Sequence, residues 1–343
     1  MSKKIAVLLM NLGGPDSLEA VRPFLYNLFS DPAILRYPSP FRQILAWLIS
    51  KLRYKKARQI YAKIGGKSPI LENTQAQVRT LKQTLIQMLP DKTLDVFIAM
   101  RYFHPLTEKA VFDVQNFQPD HVILLPMYPQ FSTTTTASSL KRWRDLFKEK
   151  VMMTEICCYP TNPGFIAAYV DLIHQSLKEI PENCGVRLLF SAHGLPQKIV
   201  DEGDPYAIQV SQSVMAIMGD PTLKNIDYQI CYQSRVGPLK WLTPSLDSAM
   251  QKASTDQKAV IVVPISFVCE HSETLVELDM DFRKVAKSLN LPYYGRVPTV
   301  SCHPKFIDGL AHLVKERLQT IGQDIPKMCP ANAVQCWCQT AHD

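Results

Sequence analysis

No apolar run in this chain reaches the ~18–20 residues of a membrane-spanning helix, so none is expected. No small-residue cleavage site follows Met1-Ser2-Lys3-Lys4, which passes straight into an apolar run. A signal peptide is therefore not expected, and the protein is expected to stay in the cytoplasm. The chain also lacks the make-up of a disordered polymer, being 46% hydrophobic and 20% charged. No internal repeat is evident. Gly13-Gly14-Pro15 follows a strand-like run but is not the spaced glycine fingerprint of a dinucleotide site. Gly66-Lys67-Ser68 has the tail of a phosphate loop, yet the position that must be glycine is Tyr61, and Pro69 follows at once. There is no G-x-S-x-G nucleophile elbow. A strong charge bias is missing too. The net charge of +7 is dispersed, which excludes a nucleic-acid footprint and fits weak attraction to anionic surfaces or ligands.

What is present is strand–helix alternation. Ile5–Leu12, Asp95–Met100 and His121–Met127 read as strands in the first half. Arg187–Ser191, Tyr228–Tyr232 and Ala259–Ser266 do so in the second. Those of the first half are short and rich in Val, Ile, Leu or Phe, the pattern of strands buried on both faces of a parallel sheet. Helical periodicity covers Leu18–Phe29, Asn73–Met88, Phe165–Leu177, Tyr206–Met218, Thr274–Ser288 and Phe306–Leu318. An α/β protein with two doubly wound, Rossmann-like domains is predicted. At about 150 residues per domain, 343 residues suit two. The turn-forming stretch Tyr159-Pro160-Thr161-Asn162-Pro163-Gly164 marks the crossover. One domain is expected to hold 1–158 with 305–343, the other 159–304.

Ligands of such sheets gather at the carboxyl ends of the strands. His193 falls there, flanked by Ala192 and Gly194, whose small size would let a ligand approach the ring. Its titration near neutrality suits proton acceptance. A structural histidine bonded within a loop is the competing explanation. Glu273, Glu277 and Asp281 follow another strand end at a spacing of four, one drifting acidic stripe on an α-helix, with His271 alongside. Stacked carboxylates repel, so a divalent cation is a natural partner; a solvated helix face is the plainer alternative.

Ordered segments then narrow the reading. Asn11-Leu12-Gly13-Gly14-Pro15, Tyr61 with Ile64-Gly65-Gly66-Lys67-Ser68-Pro69-Ile70, Arg101-Tyr102-Phe103-His104-Pro105 and Tyr128-Pro129-Gln130-Phe131-Ser132 come first. Ser191-Ala192-His193-Gly194-Leu195-Pro196, Gly203-Asp204-Pro205-Tyr206, Gln233-Ser234-Arg235-Val236-Gly237-Pro238 with Trp241-Leu242, and His271-Ser272-Glu273-Thr274-Leu275 complete the series. Together they resemble the ferrochelatases, in the family's order and over nearly the whole chain. The resemblance implies insertion of Fe²⁺ into protoporphyrin IX with release of two protons, the terminal step of haem biosynthesis, in a porphyrin cleft between the domains. It implies that His193 accepts pyrrole protons, that Glu273 faces it, and that His271 supports it. It implies an acidic path for metal or protons through Glu277 and Asp281, the latter standing where glutamate is usual. Metal contact then falls to His193, Glu273, Glu277 and Asp281. Leu12, Arg53, Tyr61, Tyr128 and Trp241 match residues lining the pocket, with Arg53 placed by its spacing from Tyr61 and paired with a propionate. Leu12 favours protoporphyrin, since relatives that use coproporphyrin tend to carry tyrosine there.

The nine cysteines do not form a secreted disulfide framework. Cys329, Cys336 and Cys338 form a C-x6-C-x-C array suited to zinc or an iron–sulfur cluster, with Cys157 and Cys158 as candidates for a fourth ligand. Many ferrochelatases resemble this pattern and carry a [2Fe–2S] cluster there, while others lack it; the resemblance implies such a cluster here, with Cys158 as the fourth ligand and a structural role. Cys184, Cys231, Cys269 and Cys302 read as buried or incidental thiols. The segment Ile34–Lys56 mixes an apolar face with a basic rim; packing into the core is the commoner fate of such a segment. In the resembling family it forms a lip over the pocket, which predicts peripheral contact with the inner face of the cell membrane. A homodimer is compatible with the chain. A cobalt or nickel chelatase of another tetrapyrrole, and a non-enzymatic haem or metal carrier, are the alternative functions.

Overall fold

The computed structural model describes residues 3–182, 184–235, 237–320, 331 and 333–336. It divides into two compact units, Met1–Cys158 with Leu310–Pro326, and Tyr159–Gly309 with Lys327–Asp343. Among the described residues each unit carries one four-stranded parallel sheet.

The first unit runs β1 (Lys4–Asn11), α1 (Val21–Ser30), α2 (Phe41–Ala62), α3 (Ile70–Met88), β2 (Thr93–Met100), α4 (Thr107–Phe117), β3 (His121–Pro126), α5 (Thr136–Leu146) and β4 (Met152–Glu155). Its strand order is β2-β1-β3-β4. Central strands β1 and β3 are apolar because both faces are covered. From Ile5 to Met10 and throughout β3 every residue is buried. Ala6, Leu8 and Met10 point to one face and pack with Ala110 and Val114 of α4 and Leu140 and Trp143 of α5. Each large apolar side chain so buried stabilises the fold by about 1.5–3 kcal/mol.

The second unit repeats the scheme: α6 (Pro163–Leu177), β5 (Val186–His193), α7 (Gln197–Asp201), α8 (Tyr206–Met218), β6 (Asp227–Gln233), α9 (Leu246–Thr255), β7 (Ala259–Val263), a π-helix (Glu273–Asp281), α10 (Phe282–Ser288), β8 (Tyr294–Arg296) and α11 (Pro304–Gln319). Its order is β6-β5-β7-β8. Leu189, Val260 and Val262 meet α9 through Leu246, Ala249 and Met250, and meet the π-helix and α10 through Leu278 and Phe282. The doubly wound α/β fold predicted from the alternation is present in both units. The short edge strands β4 and β8 carry too few apolar residues to stand out in the sequence.

Two differences from expectation have physical causes. The change of unit within α11 falls at Leu310 rather than at residue 305. Gly309 lies against Gly164 at the start of α6, and Asn162 donates to the Gly309 carbonyl at 3.1 Å, which ties the first turns of α11 to the second unit. The described part of the C-terminal stretch also belongs to the second unit, where the Gln335 amide donates to Gly203 O at 3.2 Å. No helix among the described residues is long and apolar enough to cross a membrane.

Candidate active site

His193 is the last residue of β5, which runs two residues beyond the predicted strand end at Ser191. Gly194 beyond it is small for another reason than ligand access: a Cβ there would stand 2.7 Å from Gln233 O and 3.3 Å from the Trp241 ring. The glycine lets the loop after β5 lie against the end of β6 and the Trp241 segment, which bridges to Pro196. His193 and Trp241 are thereby brought to one corner of the unit. Trp241 Nε1 is buried and has no hydrogen-bond partner among the described residues.

The His193 side chain is 43% exposed, and its Nδ1 lies 2.8 Å from Glu273 Oε2. Burial pulls the imidazole's pKa down, but the Glu273 charge and hydrogen bond, helped by Glu277, outweigh it and leave it raised. The same pair acts on Glu273. Burial raises its pKa, while His193, His271 and Ser234 together bring it down to about 2. An ionised carboxylate can only accept, so Nδ1 carries the proton and donates. In the neutral ring Nε2 therefore keeps its lone pair. His271 Nε2 lies 3.9 Å from the same Glu273 oxygen, its Nδ1 accepts from the Thr274 amide at 3.3 Å, and its ring meets Phe267 edge-on. Burial lowers its pKa, which keeps it neutral beside the pair.

Glu277 stands in a different setting. The Ser234 amide donates to it at 2.8 Å, Gln233 Nε2 at 3.2 Å, and the Ser234 hydroxyl binds it as well. Burial and the neighbouring Glu273 charge nevertheless raise its pKa. Two carboxylates on one helix are thus pushed in opposite directions, the pattern that separates a fixed anion from a proton carrier. Ser234 aims both donors at Glu277 from a left-handed backbone with φ 61°. Gln233 is held in turn by the Ser191 hydroxyl at 2.7 Å.

The carboxylate row does not ride on an α-helix. Glu273–Asp281 is a π-helix nine residues long, closed by i→i+5 hydrogen bonds such as Phe282 N to Glu277 O. A spacing of four overshoots one α-turn and falls short of one π-turn, so the stripe drifts the other way. Two carbonyls near the end of the π-helix accept from side chains: Leu278 O from Tyr294 Oη at 2.7 Å and Asp279 O from Arg283 Nε at 3.1 Å. Asp281 ends the helix half-exposed, 3.7 Å from Lys284.

In the first unit Leu12 and Tyr61 share an apolar cluster with Phe24, Tyr102 and Phe29, and Arg53 lies over the Phe29 ring at 5.6 Å. Tyr128 follows β3 with its hydroxyl buried near Ser139, and burial raises its pKa strongly. Arg101, at the end of β2, pairs with buried Asp31 at 2.7 Å. Cys157 and Cys158 are buried with their sulfurs 3.6 Å apart, and Cys336 is buried. Cys329 and Cys338 lie outside the described residues. Among the described residues no group of three or more His, Cys, Asp or Glu side chains is arranged to hold a metal ion.

The roles of Gln233 and Ser234 at Glu277 are not evident from their sequence alone. Their position directly after a buried strand was the available signal. Arg296 and Asp31 carry none, because their partners are distant in sequence.

Known proteins bear on these features. A protein of Caulobacter vibrioides named ferrochelatase is 46% identical over 343 residues, covering 99% of each chain. One from Phenylobacterium zucineum is 47% identical over 341 residues, covering 98% of each, and one from Rickettsia bellii is 43% identical, covering 99% of this chain and 96% of its own. Among solved structures, SirB from Bacillus subtilis with Fe3+ superposes with a TM-score of 0.50 at 12% identity, covering 91% of this chain and 95% of its own, a likeness of fold. The sequence profile described as Ferrochelatase matches residues 4–318, and the chain belongs to the ferrochelatase family.

Proposed function

We propose that His193 and Glu273 form the proton-accepting pair for the family's reaction, insertion of Fe²⁺ into protoporphyrin with release of two protons. The observation that carries this is the 2.8 Å contact that engages Nδ1 and leaves the Nε2 lone pair open. Glu273 stays ionised and stabilises the imidazolium as it forms. Glu277, the more basic carboxylate, takes the proton onward, and with Glu273 and Asp281 offers oxygen ligands to the incoming iron. His271 holds Glu273 in place. Leu12, Arg53, Tyr61, Tyr128 and Trp241 are assigned to porphyrin contact, with Arg53 on a propionate. Binding energy from these contacts is available to bend the macrocycle and expose its nitrogen lone pairs.

A [2Fe–2S] cluster on Cys158, Cys329, Cys336 and Cys338 is part of the proposal. Buried thiols at Cys158 and Cys336 suit such a group, whose role here is structural. So is peripheral membrane contact through α2. That helix exposes Phe41, Ile44, Trp47, Leu48 and Leu52, with Arg22 and Lys51 over the Trp47 ring. An apolar row with a basic rim suits an anionic lipid surface.

Anaerobic incubation with protoporphyrin IX and Fe²⁺, with Co²⁺ and Ni²⁺ as comparison metals, tests the reading. His193→Ala is expected to slow iron insertion by roughly 10²- to 10⁴-fold. An unchanged rate with altered haem retention would instead indicate a carrier.

A further inference from the structure

The π-helix poses a physical problem. Helices of i→i+5 winding are rare and mostly one turn long, yet this one runs nine residues through Glu273 and Glu277. Something outside the helix has to hold it. Arg296, the last residue of β8, is 9% exposed and reaches it with its whole fork. Nε and Nη2 donate to the two oxygens of Asp279 at 2.7 and 2.8 Å. Nη1 donates to Glu270 Oε1 at 3.0 Å. Glu270 is itself fixed, by the Thr299 amide at 2.9 Å and by the Thr274 hydroxyl. One guanidinium therefore grips a residue just before the π-helix and another near its end, and Glu273 and Glu277 lie between the two grips.

We propose that Arg296 is a positioning residue for metal insertion, clamping Glu270 and Asp279 so that the π-winding holds Glu273 and Glu277 at their working distances from His193. The inference rests on the proposed role of those three residues. It does not need Arg296 to touch substrate. A planar fork makes this clamp possible, because it fixes direction as well as distance. A lysine would keep the charge and lose the bidentate grip.

Arg296→Lys is the test, with Asp279→Asn as a second variant that leaves the arginine in place. Both are measured in the full chain, with melting temperature, amide hydrogen exchange across Glu273–Asp281, and kcat and KM for protoporphyrin and Fe²⁺ at a temperature well below melting. The expected result is faster exchange in the π-helix and a kcat lowered roughly 10- to 100-fold, with KM for protoporphyrin unchanged. Faster exchange with unchanged kcat overturns the positioning role and leaves only a structural one. Unchanged exchange in both variants overturns the clamp itself. A His193→Ala enzyme that still inserts iron at the full rate would overturn the site on which the inference rests, while the exchange data would still report on the clamp.

Discussion

At the scale of the residue, the His193–Glu273 pair sets the pH behaviour. The raised imidazole pKa means that its contribution to stability is full below the ordinary value of about 6.5 and fades as pH rises through the folded value. The depressed Glu273 works the other way: its contribution is present above the ordinary carboxylate range and is lost as pH falls through about 2. In the proposed mechanism the neutral ring accepts the proton, so activity is expected to climb with pH along a limb above the ordinary histidine value. Glu273→Gln removes the charge that raises this pKa while the opposing burial remains. The His193 titration, followed by its ring proton resonances, should then move to lower pH; a midpoint that stays in place would mean Glu273 is not its controlling partner. The histidine itself was legible in the sequence because it follows the apolar run Leu188-Leu189-Phe190 at a strand end. The tautomer was not, since it depends on a carboxylate 80 positions away.

At the scale of the element, close backbone approaches are the sensitive points. A Cβ on Gly164 would stand 2.2 Å from Lys305 O and 2.7 Å from Gly309 Cα, both backbone atoms that cannot swing aside. Gly164→Ala is expected to cost about 1–3 kcal/mol, read as a lower denaturant midpoint. Long strands and helices were legible because covered faces force apolar periodicity, as in β1, β5 and α8. The π-helix escaped for the converse reason. Thr274, Val276 and Leu278 are its buried residues, and nothing in their spacing reveals that the turn closes one residue late. Its supports, Tyr294 and Arg296, sit on a three-residue edge strand whose pattern is too short to read.

At the scale of the whole molecule, the net charge of +7 and the exposed apolar row of α2 would both serve the proposed membrane contact. The protein is expected to sediment with vesicles containing anionic phospholipid and to be released at about 1 M salt, where the screening length is ~3 Å. Trp47→Ser with Leu52→Ser should weaken this binding yet leave turnover of detergent-dispersed porphyrin intact. Binding equal to the unmodified protein's would rule out α2 as the contact. Cys336→Ser tests the proposed [2Fe–2S] cluster: visible cluster absorption, expected in the anaerobically purified unmodified protein, should be lost in the variant, and an unchanged spectrum would remove that cysteine from the ligand set.

The left-handed backbone of Ser234 has one more consequence, for which substitutions this position can bear. Glycine adopts positive φ freely, whereas alanine does not. Ser234→Gly would therefore keep the amide bond to Glu277, delete the hydroxyl and relieve the strain that serine bears there, while Ser234→Ala would lose the same hydroxyl and keep the strain. The chemically larger step along the backbone is the gentler one, so glycine rather than alanine is the replacement that drift could reach without first disturbing the loop.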